Sequence, residues 1–392
     1  MKSKIVTWLE LLLISTRLGL TSFGGPIAHL GYFHEEYVRK KKWIDEKTYS
    51  ELVALCQFLP GPASSQVGIG IGILKGGKFG GIVSFIGFTL PSVIVLTLFA
   101  IFLGNTGVSD AGWLKGLKIV AVAVVAHAIT GMASKLTPDL TRKGIALLAI
   151  LFTLLWGSAF SQVTVIILAG VCGFLLYRKQ NEQTEQHTHS QFPISKTFGT
   201  VCLVLFFGLL GGLPLLKEAT STMAVTLFDS FYRAGALVFG GGHVVLPLLE
   251  KELVPSGFIS GQEFLAGYGA AQAVPGPLFT FAAFLGGAIG GWEYALLATI
   301  AIFLPAFLLI FGALPFWNAL RRNPGMNGVL MGVNAGVVGI LISAFYDPIW
   351  TSSITSPLHF GMAAILFSML MFWKLPPWVI VVTGIVAGSL FL

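Results

Sequence analysis

The sequence predicts an all-α polytopic membrane protein of about thirteen transmembrane helices, built from two inverted-topology repeats with broken helices. Three observations carry this prediction: an apolar composition, a succession of long apolar runs, and a pair of motifs that occurs twice. Hydrophobic residues make up 55% of the 392 positions and charged residues only 10%, whereas a soluble globular protein has about 25% charged residues. The composition is therefore that of a membrane protein.

Long apolar runs follow one another along the whole chain. Because a helix needs roughly 20 mostly apolar residues to cross a hydrocarbon core of about 30 Å, each run is interpreted as one span. The first seven runs are 7–24, 52–71, 82–103, 114–133, 144–156, 160–177 and 198–216. The remaining six are 223–249, 264–285, 294–314, 329–345, 358–372 and 378–392. The fifth, sixth, twelfth and thirteenth runs are short for a crossing.

The net charge of +7 does not indicate a nucleic-acid-binding protein. The Lys and Arg residues lie mainly between the apolar runs, so they are interpreted as topology signals. The three cysteines lie in apolar stretches without metal-type spacing, so we expect free thiols and no cofactor or metal. A Walker A sequence, a ligand-spaced histidine cluster and a carboxylate pair are all missing from the sequence. We therefore expect no enzyme activity, which leaves secondary transport or facilitated flux.

One polar stretch divides the chain near its middle. Residues 178–196 have the composition of a flexible linker, and its two histidines, His187 and His189, are interpreted as solvated residues rather than metal ligands. The division gives a first repeat over 1–177, a linker over 178–197, and a second repeat over 198–392 with one extra N-terminal span.

The two sides of this linker resemble each other in sequence. Residues 17–38 align without gaps with residues 233–254, and QFLPGP (57–62) falls on QAVPGP (272–277) after a one-residue gap. The identical pairs in the first segment are Arg17/Arg233, Gly19/Gly235, Phe23/Phe239, Gly24/Gly240, Gly25/Gly241, Leu30/Leu246, Glu36/Glu252 and Val38/Val254. Further on, Pro91 has a counterpart in Pro305, at a register that the sequence does not fix. Duplication is the economical explanation.

The order of the runs predicts that the repeats are inverted. An odd number of crossings separates equivalent helices if every run crosses, and inverted repeats are typical of secondary transporters. Loop charge mostly supports a cytoplasmic N-terminus and linker, with the C-terminus outside. The inward-facing residues are then Lys75, Lys78, Lys135, Arg142, Lys143, Arg178, Lys179, Lys196, Arg321, Arg322 and Lys374. The segment RKKK (39–42) disagrees, so either it is bound to the protein at the interface or the first FGG region re-enters instead of crossing.

Arg17 and Arg233 lie inside apolar runs, each six residues before an FGG motif. A charged side chain at membrane depth is costly, so it should face a cavity, the bundle interior or a partner. Asp229 stands four residues before Arg233, and Glu10 offers a looser partner for Arg17. For both arginines, the sequence leaves open whether the side chain binds substrate or forms a structural ion pair.

The FGG and PGP motifs predict breaks in their helices. Glycines are poorly suited to a straight membrane helix, and the two prolines of PGP remove two donors, so each motif should interrupt its span. The new helix N-termini would point unpaired N–H groups into the protein and favour an anion. Close packing through small residues is the alternative for FGG, and a structural kink is the alternative for PGP.

The predicted substrate-binding residues combine these motifs with nearby neutral donors. In the first repeat they are Arg17, Phe23, Gly24, Gly25, Gln57, Pro60, Gly61, Pro62 and Ser64, with Ser65 and Gln66 close by. In the second repeat they are Arg233, Phe239, Gly240, Gly241, Gln272, Pro275, Gly276, Pro277 and Thr280.

With these motifs, the chain resembles the chromate ion transporter family in its long, two-domain form. The FGGP-type motif, the PGP motif and their order around a variable linker carry the resemblance over both halves. The resemblance implies an inner-membrane protein of antiparallel halves that exports chromate, a tetrahedral dianion shaped like sulfate, and so confers chromate resistance. The second copy has Gly242 where the first has Pro26. We therefore expect a more flexible second gate, one that tolerates alanine at Gly276 better than the first gate tolerates it at Gly61.

The residues do not decide between chromate and sulfate, nor between proton coupling and the membrane potential as the energy source. The expected partners are a small oxyanion and the lipid bilayer, with no nucleic acid and with a homodimer left open. An anion channel of the same architecture remains an alternative, as does a non-transporting scaffold or lipid-handling protein.

Overall fold

The computed structural model describes residues 4–106, 111–156, 159–177, 194–239, 241–317 and 324–392. These residues are helical throughout, with no strand among them. The predicted linker histidines, His187 and His189, lie outside the described residues, as do Arg321, Arg322 and the predicted site residue Gly240.

The first repeat contains seven helices in the described residues. They are α1 (Lys4–Thr21), α2 (Gly25–Phe33, continued by a π-helix over His34–Lys40), α3 (Glu46–Phe58), α4 (Ala63–Thr106), α5 (Gly112–Leu136), α6 (Leu140–Leu155) and α7 (Ala159–Tyr177). Side chains of Asp45 and Asp139 cap α3 and α6 by accepting from the backbone N–H groups of Thr48 and Arg142. These hydrogen bonds lower the pKa of both carboxyl groups, because they stabilise the charged form.

The second repeat begins with an additional helix, α8 (Lys196–Thr220). It continues with α9 (Met223–Leu237), α10 (Val245–Leu253, after a 3₁₀ turn over Gly242–Val244), α11 (Gly261–Ala271), α12 (Phe281–Ala313, after a 3₁₀ turn over Leu278–Thr280), α13 (Pro324–Ala344), α14 (Pro357–Met371) and α15 (Pro377–Phe391). A π-helix over Phe345–Trp350 and a single turn over Thr351–Ser353 lie between α13 and α14.

Five helical stretches of the described residues are long and apolar enough to cross a membrane. They are Ala63–Gly104, Gly112–Leu136, Lys196–Thr220, Leu278–Phe316 and Gly325–Ser353. Shorter apolar helices are Ser161–Tyr177, Pro357–Met371 and Pro377–Phe391. The helices therefore agree with a polytopic membrane protein.

The long helix α4 is a hairpin rather than a straight rod. Gly77 has non-helical backbone angles (φ 70°, ψ −166°), and Ser84 Oγ donates to Gly68 O at 2.9 Å across the reversal. Residues sixteen positions apart in a straight α-helix would be separated by about 24 Å along its axis. Two consecutive glycines, Gly290 and Gly291, break α12 in the same way, so the run after each PGP motif folds back before it continues.

The chain also doubles back between α1 and α2. The side chains of Lys41 and Glu10 lie 3.7 Å apart, and the hydroxyls of Ser15 and Tyr37 lie 3.2 Å apart. The residue that comes later in the α2 segment, Lys41, contacts the residue that comes earlier in α1, Glu10. The two segments therefore run in opposite directions. The RKKK segment therefore lies toward the end of the molecule at which α1 begins.

Helices from the two halves interleave. α13 of the second half packs against α6 and α7, and α5 of the first half packs against α14 and α15. Small residues allow this approach, because a side chain on Gly116 would meet the backbone of Gly384 and one on Gly332 would meet the backbone of Ala169. α8 lies against α9 and α12, where Tyr232 Oη donates to Phe206 O at 2.9 Å.

Candidate substrate site at the helix breaks

The predicted FGG and PGP breaks are present in the structure. In the first repeat α1 ends at Thr21 and α2 begins at Gly25, while α3 ends at Phe58 and α4 begins at Ala63. Positive φ angles occur at Gly24 (97°), Gly25 (77°) and Gly61 (110°), and in the second repeat at Gly241 (146°) and Gly276 (107°). Such angles suit glycine because a Cβ would clash with the backbone.

The breaks of the two repeats meet. Gly61 N–H donates to Val238 O at 2.7 Å, and Gly276 N–H donates to Ser22 O at 3.0 Å. Ser22 and Val238 occupy equivalent positions in the repeat alignment. Each PGP turn is thus bound to the FGG break of the other half, and the structure brings predicted residues of both repeats together.

Both predicted arginines form ion pairs. Arg17 Nη2 lies 2.5 Å from Glu36 Oε2, and Arg233 Nη2 lies 2.7 Å from Asp229 Oδ2 and 3.1 Å from Glu252 Oε2. Arg233 thus has the Asp229 partner that the sequence left as one of two alternatives, whereas Arg17 pairs with Glu36, and Glu10 lies near Lys41.

The repeated glutamates are residues that sequence reasoning missed as partners. Glu36 and Glu252 were already aligned with each other, at the same distance along the chain from Arg17 and Arg233. This repeated spacing was the signal. The Arg17 side chain is 58% exposed and that of Arg233 is 18% exposed, because α8 covers α9 and no described helix covers α1 in the same way.

A histidine that sequence reasoning left aside lies at the first break. His29 is buried, with Nδ1 3.3 Å from Ser64 Oγ and its ring edge-on to Phe88 at a centroid distance of 5.4 Å. Gln66, four residues after Pro62, donates through Nε2 to Pro60 O at 2.8 Å. These neutral groups lie at the start of α4, where the first-turn N–H groups are free to face an anion.

The second break is built differently. His243 Nδ1 lies 2.6 Å from Tyr268 Oη, and the Thr280 hydroxyl donates to Pro277 O at 2.7 Å. Among the described residues, Gln272 Nε2 has no hydrogen-bond partner. Thr280 is thus already satisfied by the backbone, and Gln272 is the unsatisfied polar group of this turn.

Discontinuous helices whose breaks meet inside an apolar bundle define a class, the transporters built from broken helices. The model of one family, Chromate transporter, matches residues 9–174 and again residues 225–389. The chain therefore belongs to the Chromate transporter family and is a multi-pass membrane protein.

Named relatives cover most of the chain. A protein of Synechococcus elongatus described as a probable chromate transport protein is 28% identical over 382 residues, which cover 96% of this chain and 93% of the relative. The chromate transport protein of Pseudomonas aeruginosa is 27% identical over 344 residues, or 84% and 78% of the two chains. An uncharacterized transporter of Methanocaldococcus jannaschii is 27% identical over 332 residues, or 83% and 81%. No solved structure matches the chain.

Proposed function

We propose that this chain is a secondary transporter that exports chromate across the inner membrane and thereby confers chromate resistance. The observation that carries the proposal is the reciprocal binding of each PGP turn to the opposite FGG break, through Gly61 to Val238 and Gly276 to Ser22. Helix N-termini at such breaks favour an anion, and the family and the names of its members point to chromate.

The contacts support a re-entrant topology for the first half of each repeat. α1 and α2 form one hairpin from the cytoplasmic face, and α3 and the first arm of α4 form a second one that ends at Gly77. In the second repeat, α9 and α10 form the equivalent first hairpin, and α11 and the first arm of α12 form the second one, both from the outer face. About nine complete crossings remain, made by the second arms of α4 and α12 together with α5 to α8 and α13 to α15.

The same contacts support inversion of the repeats. Gly287, just before the reversal in α12, would place a Cβ 3.1 Å from Ala100 Cβ. Ala100 follows the reversal at Gly77 by about 35 Å of helix. The two reversals therefore lie at opposite ends of the second arm of α4, as two oppositely oriented repeats require.

This topology removes the conflict in loop charge. The RKKK segment joins Lys75 and Lys78 at the end where α1 begins, as Lys75 Nζ lies over the Trp43 ring at 4.8 Å. Positive residues then collect on one side, which supports a cytoplasmic N-terminus and an outside C-terminus. Because the cell interior is negative, a potential of 100 mV favours outward movement of an anion by about 2.3 kcal/mol for each negative charge that it carries.

The test is flux into everted membrane vesicles. Vesicles that carry the chain should accumulate labelled chromate saturably and show counterflow, which a channel would not. Unlabelled sulfate as competitor shows whether sulfate shares the site. Vesicles that accumulate no more chromate than vesicles lacking the protein would refute the proposal.

A further inference from the structure

The first repeat contains a cluster of buried polar side chains beside its PGP turn, which we call the polar cluster. Its members are Ser22, His29, Ser64, Ser65, Gln66 and Thr89, each of them 0–2% exposed. His29 connects two parts of the cluster: its Nδ1 lies 3.3 Å from Ser64 Oγ, and its ring packs on Phe88, the neighbour of Thr89. Ser65 and Gln66 continue the same first turn of α4.

Most side chains of the polar cluster have a buried polar atom without a hydrogen-bond partner among the described residues. Among the described residues, none donates to or accepts from Ser22 Oγ, His29 Nε2, Ser65 Oγ, Gln66 Oε1 or Thr89 Oγ1. Buried polar atoms in native proteins are normally satisfied by protein or water. The unsatisfied atoms of His29, Ser65 and Gln66, at the N-terminus of a long helix, indicate a place for a ligand.

At the equivalent positions that the structure describes, the second repeat has no such cluster, although Gln272 Nε2 lacks a partner at its PGP turn. At the equivalent positions, taken from the repeat alignment and the Pro91/Pro305 register, it has Val238, Val245, Phe279, Thr280, Phe281 and Phe303. These residues are equally buried, at 0–2% exposure. Thr280 already donates to Pro277 O, and the Phe279 and Phe303 rings lie 5.9 Å apart. Hydrocarbon thus fills the space that polar atoms line in the first repeat.

We propose that the chain has one oxyanion site, not two, that the polar cluster of the first repeat forms it, and that it takes an oxyanion carrying one proton. This inference rests on the proposed oxyanion transport and adds the position of the site and the protonation state of its ligand. It makes the two repeats unequal: the first repeat binds the oxyanion, and the second repeat has packed apolar side chains at the equivalent positions.

The donors of the site come from His29, Ser65 and the α4 N-terminus. When the Ser64 hydroxyl donates to Nδ1 of His29, the proton of the neutral ring is on Nε2, the atom without a partner. That N–H, the Ser65 hydroxyl and the first-turn backbone N–H groups are thus neutral donors at the start of α4. Neutral donors bind an oxyanion without a fixed countercharge, as a transporter requires for release.

The acceptor of the site is Gln66 Oε1. The amide Nε2 donates to Pro60 O, which can only accept, so the amide orientation is fixed and Oε1 stays unpartnered. A fully deprotonated oxyanion has no proton to offer this oxygen, whereas a hydrogen oxyanion donates its O–H to it. Near neutral pH chromate exists partly as hydrogen chromate, while sulfate is completely deprotonated because hydrogen sulfate is a strong acid. Gln66 should therefore make the site prefer chromate to sulfate.

The test is binding of labelled chromate to the purified full-length chain in nanodiscs, with sulfate as competitor. We expect one chromate per chain and a preference over sulfate of about tenfold or more, since one lost hydrogen bond to a charged ligand is worth that factor. Gln66→Leu should abolish the preference. His29→Val, which installs the second-repeat residue, should weaken chromate binding about tenfold.

The matched control is His243→Gln, at the break of the other repeat, which should retain both affinity and preference. If His29→Val does not fold, as judged by size-exclusion chromatography, Ser65→Ala removes a single hydroxyl and should still weaken binding severalfold. Two chromates per chain, an unchanged preference in Gln66→Leu, or binding unaffected by both first-repeat variants would overturn the inference and leave the cluster as a site for water. Normal chromate flux with those results would leave the proposed transport intact, whereas a parent chain without flux would refute transport itself.

Discussion

A methyl group added at Gly276 would lie 2.9 Å from Ser92 Oγ and 3.3 Å from Ser92 Cβ. The Cβ atom of Ser92 is fixed to the backbone of α4 and cannot rotate away, so either α4 or the PGP turn must move. At Gly61 the nearest atom to an added methyl is Gln66 Nε2, at the longer distance of 3.2 Å. The crowding is therefore more severe at Gly276.

The backbone strain is the same at both sites, because φ is 110° at Gly61 and 107° at Gly276. Such angles cost a residue other than glycine about 1–3 kcal/mol. At Gly276 the shift also disturbs the hydrogen bond to Ser22 O, which adds about 1 kcal/mol, or roughly a fivefold effect. Gly276→Ala should thus reduce chromate flux about fivefold further than Gly61→Ala, the reverse of the order that Gly242 suggests from the sequence.

The assay is the initial rate of chromate uptake into everted vesicles, normalised to the amount of chain in the membrane. Gly77→Ala is the matched control, because Gly77 also has a positive φ (70°) but has nothing within 4 Å of an added Cβ. It should lower thermal stability through strain and leave the normalised flux unchanged. Equal flux in the two PGP variants, or a larger loss at Gly61, would refute the reasoning from contacts.

Three further predictions concern the charges, the topology and the packing. Arg233→Gln leaves the buried Asp229 without its nearest cation, which should destabilise the fold by about 3–5 kcal/mol and lower the amount of protein in the membrane. Adding Asp229→Asn should restore the amount of protein. Absent flux at a restored amount would show that Arg233 binds substrate. A cysteine at Lys41 should react with an impermeant reagent from the cytoplasmic side and one at Leu392 from outside, whereas labelling of Lys41→Cys from outside would contradict the re-entrant hairpin. Gly116→Leu should lower the melting temperature in detergent sharply, since a side chain there meets the Gly384 backbone; an unchanged melting temperature would show that α5 and α15 can separate freely.

The breaks could be predicted to the residue because their chemistry is local. Proline lacks an N–H and glycine tolerates positive φ wherever the chain places them, so PGP and FGG interrupt their helices as expected. The reversal at Gly77 falls between the predicted runs 52–71 and 82–103, where the sequence predicts a connection containing Lys75 and Lys78. A glycine pair does not by itself mark such a reversal, because Gly211 and Gly212 lie in the unbroken helix α8.

The candidate site was predictable only in part, because it depends on contacts between segments that are distant in sequence. The pairing of Arg17 with Glu36 requires α2 to return along α1, and the sequence left that return as one of two alternatives. His29 stood alone in the sequence, and only the packing of α2 on α4 places it beside Ser64. The charge of RKKK, by contrast, already conflicted with a crossing, and its position beside the first half of α1 is the basis of the re-entrant topology that we propose.

The interleaving of the two halves has a consequence for how the chain is made. α6 and α7 pack against α13, yet α13 leaves the ribosome well over a hundred residues after α7 ends at Tyr177. At a synthesis rate of about 5–20 residues per second, this delay is roughly ten to thirty seconds. During this time Ala169 and Gly173, which finally approach the backbone of α13, lack that neighbour. The first repeat therefore completes its packing only once α13 of the second repeat has been synthesised.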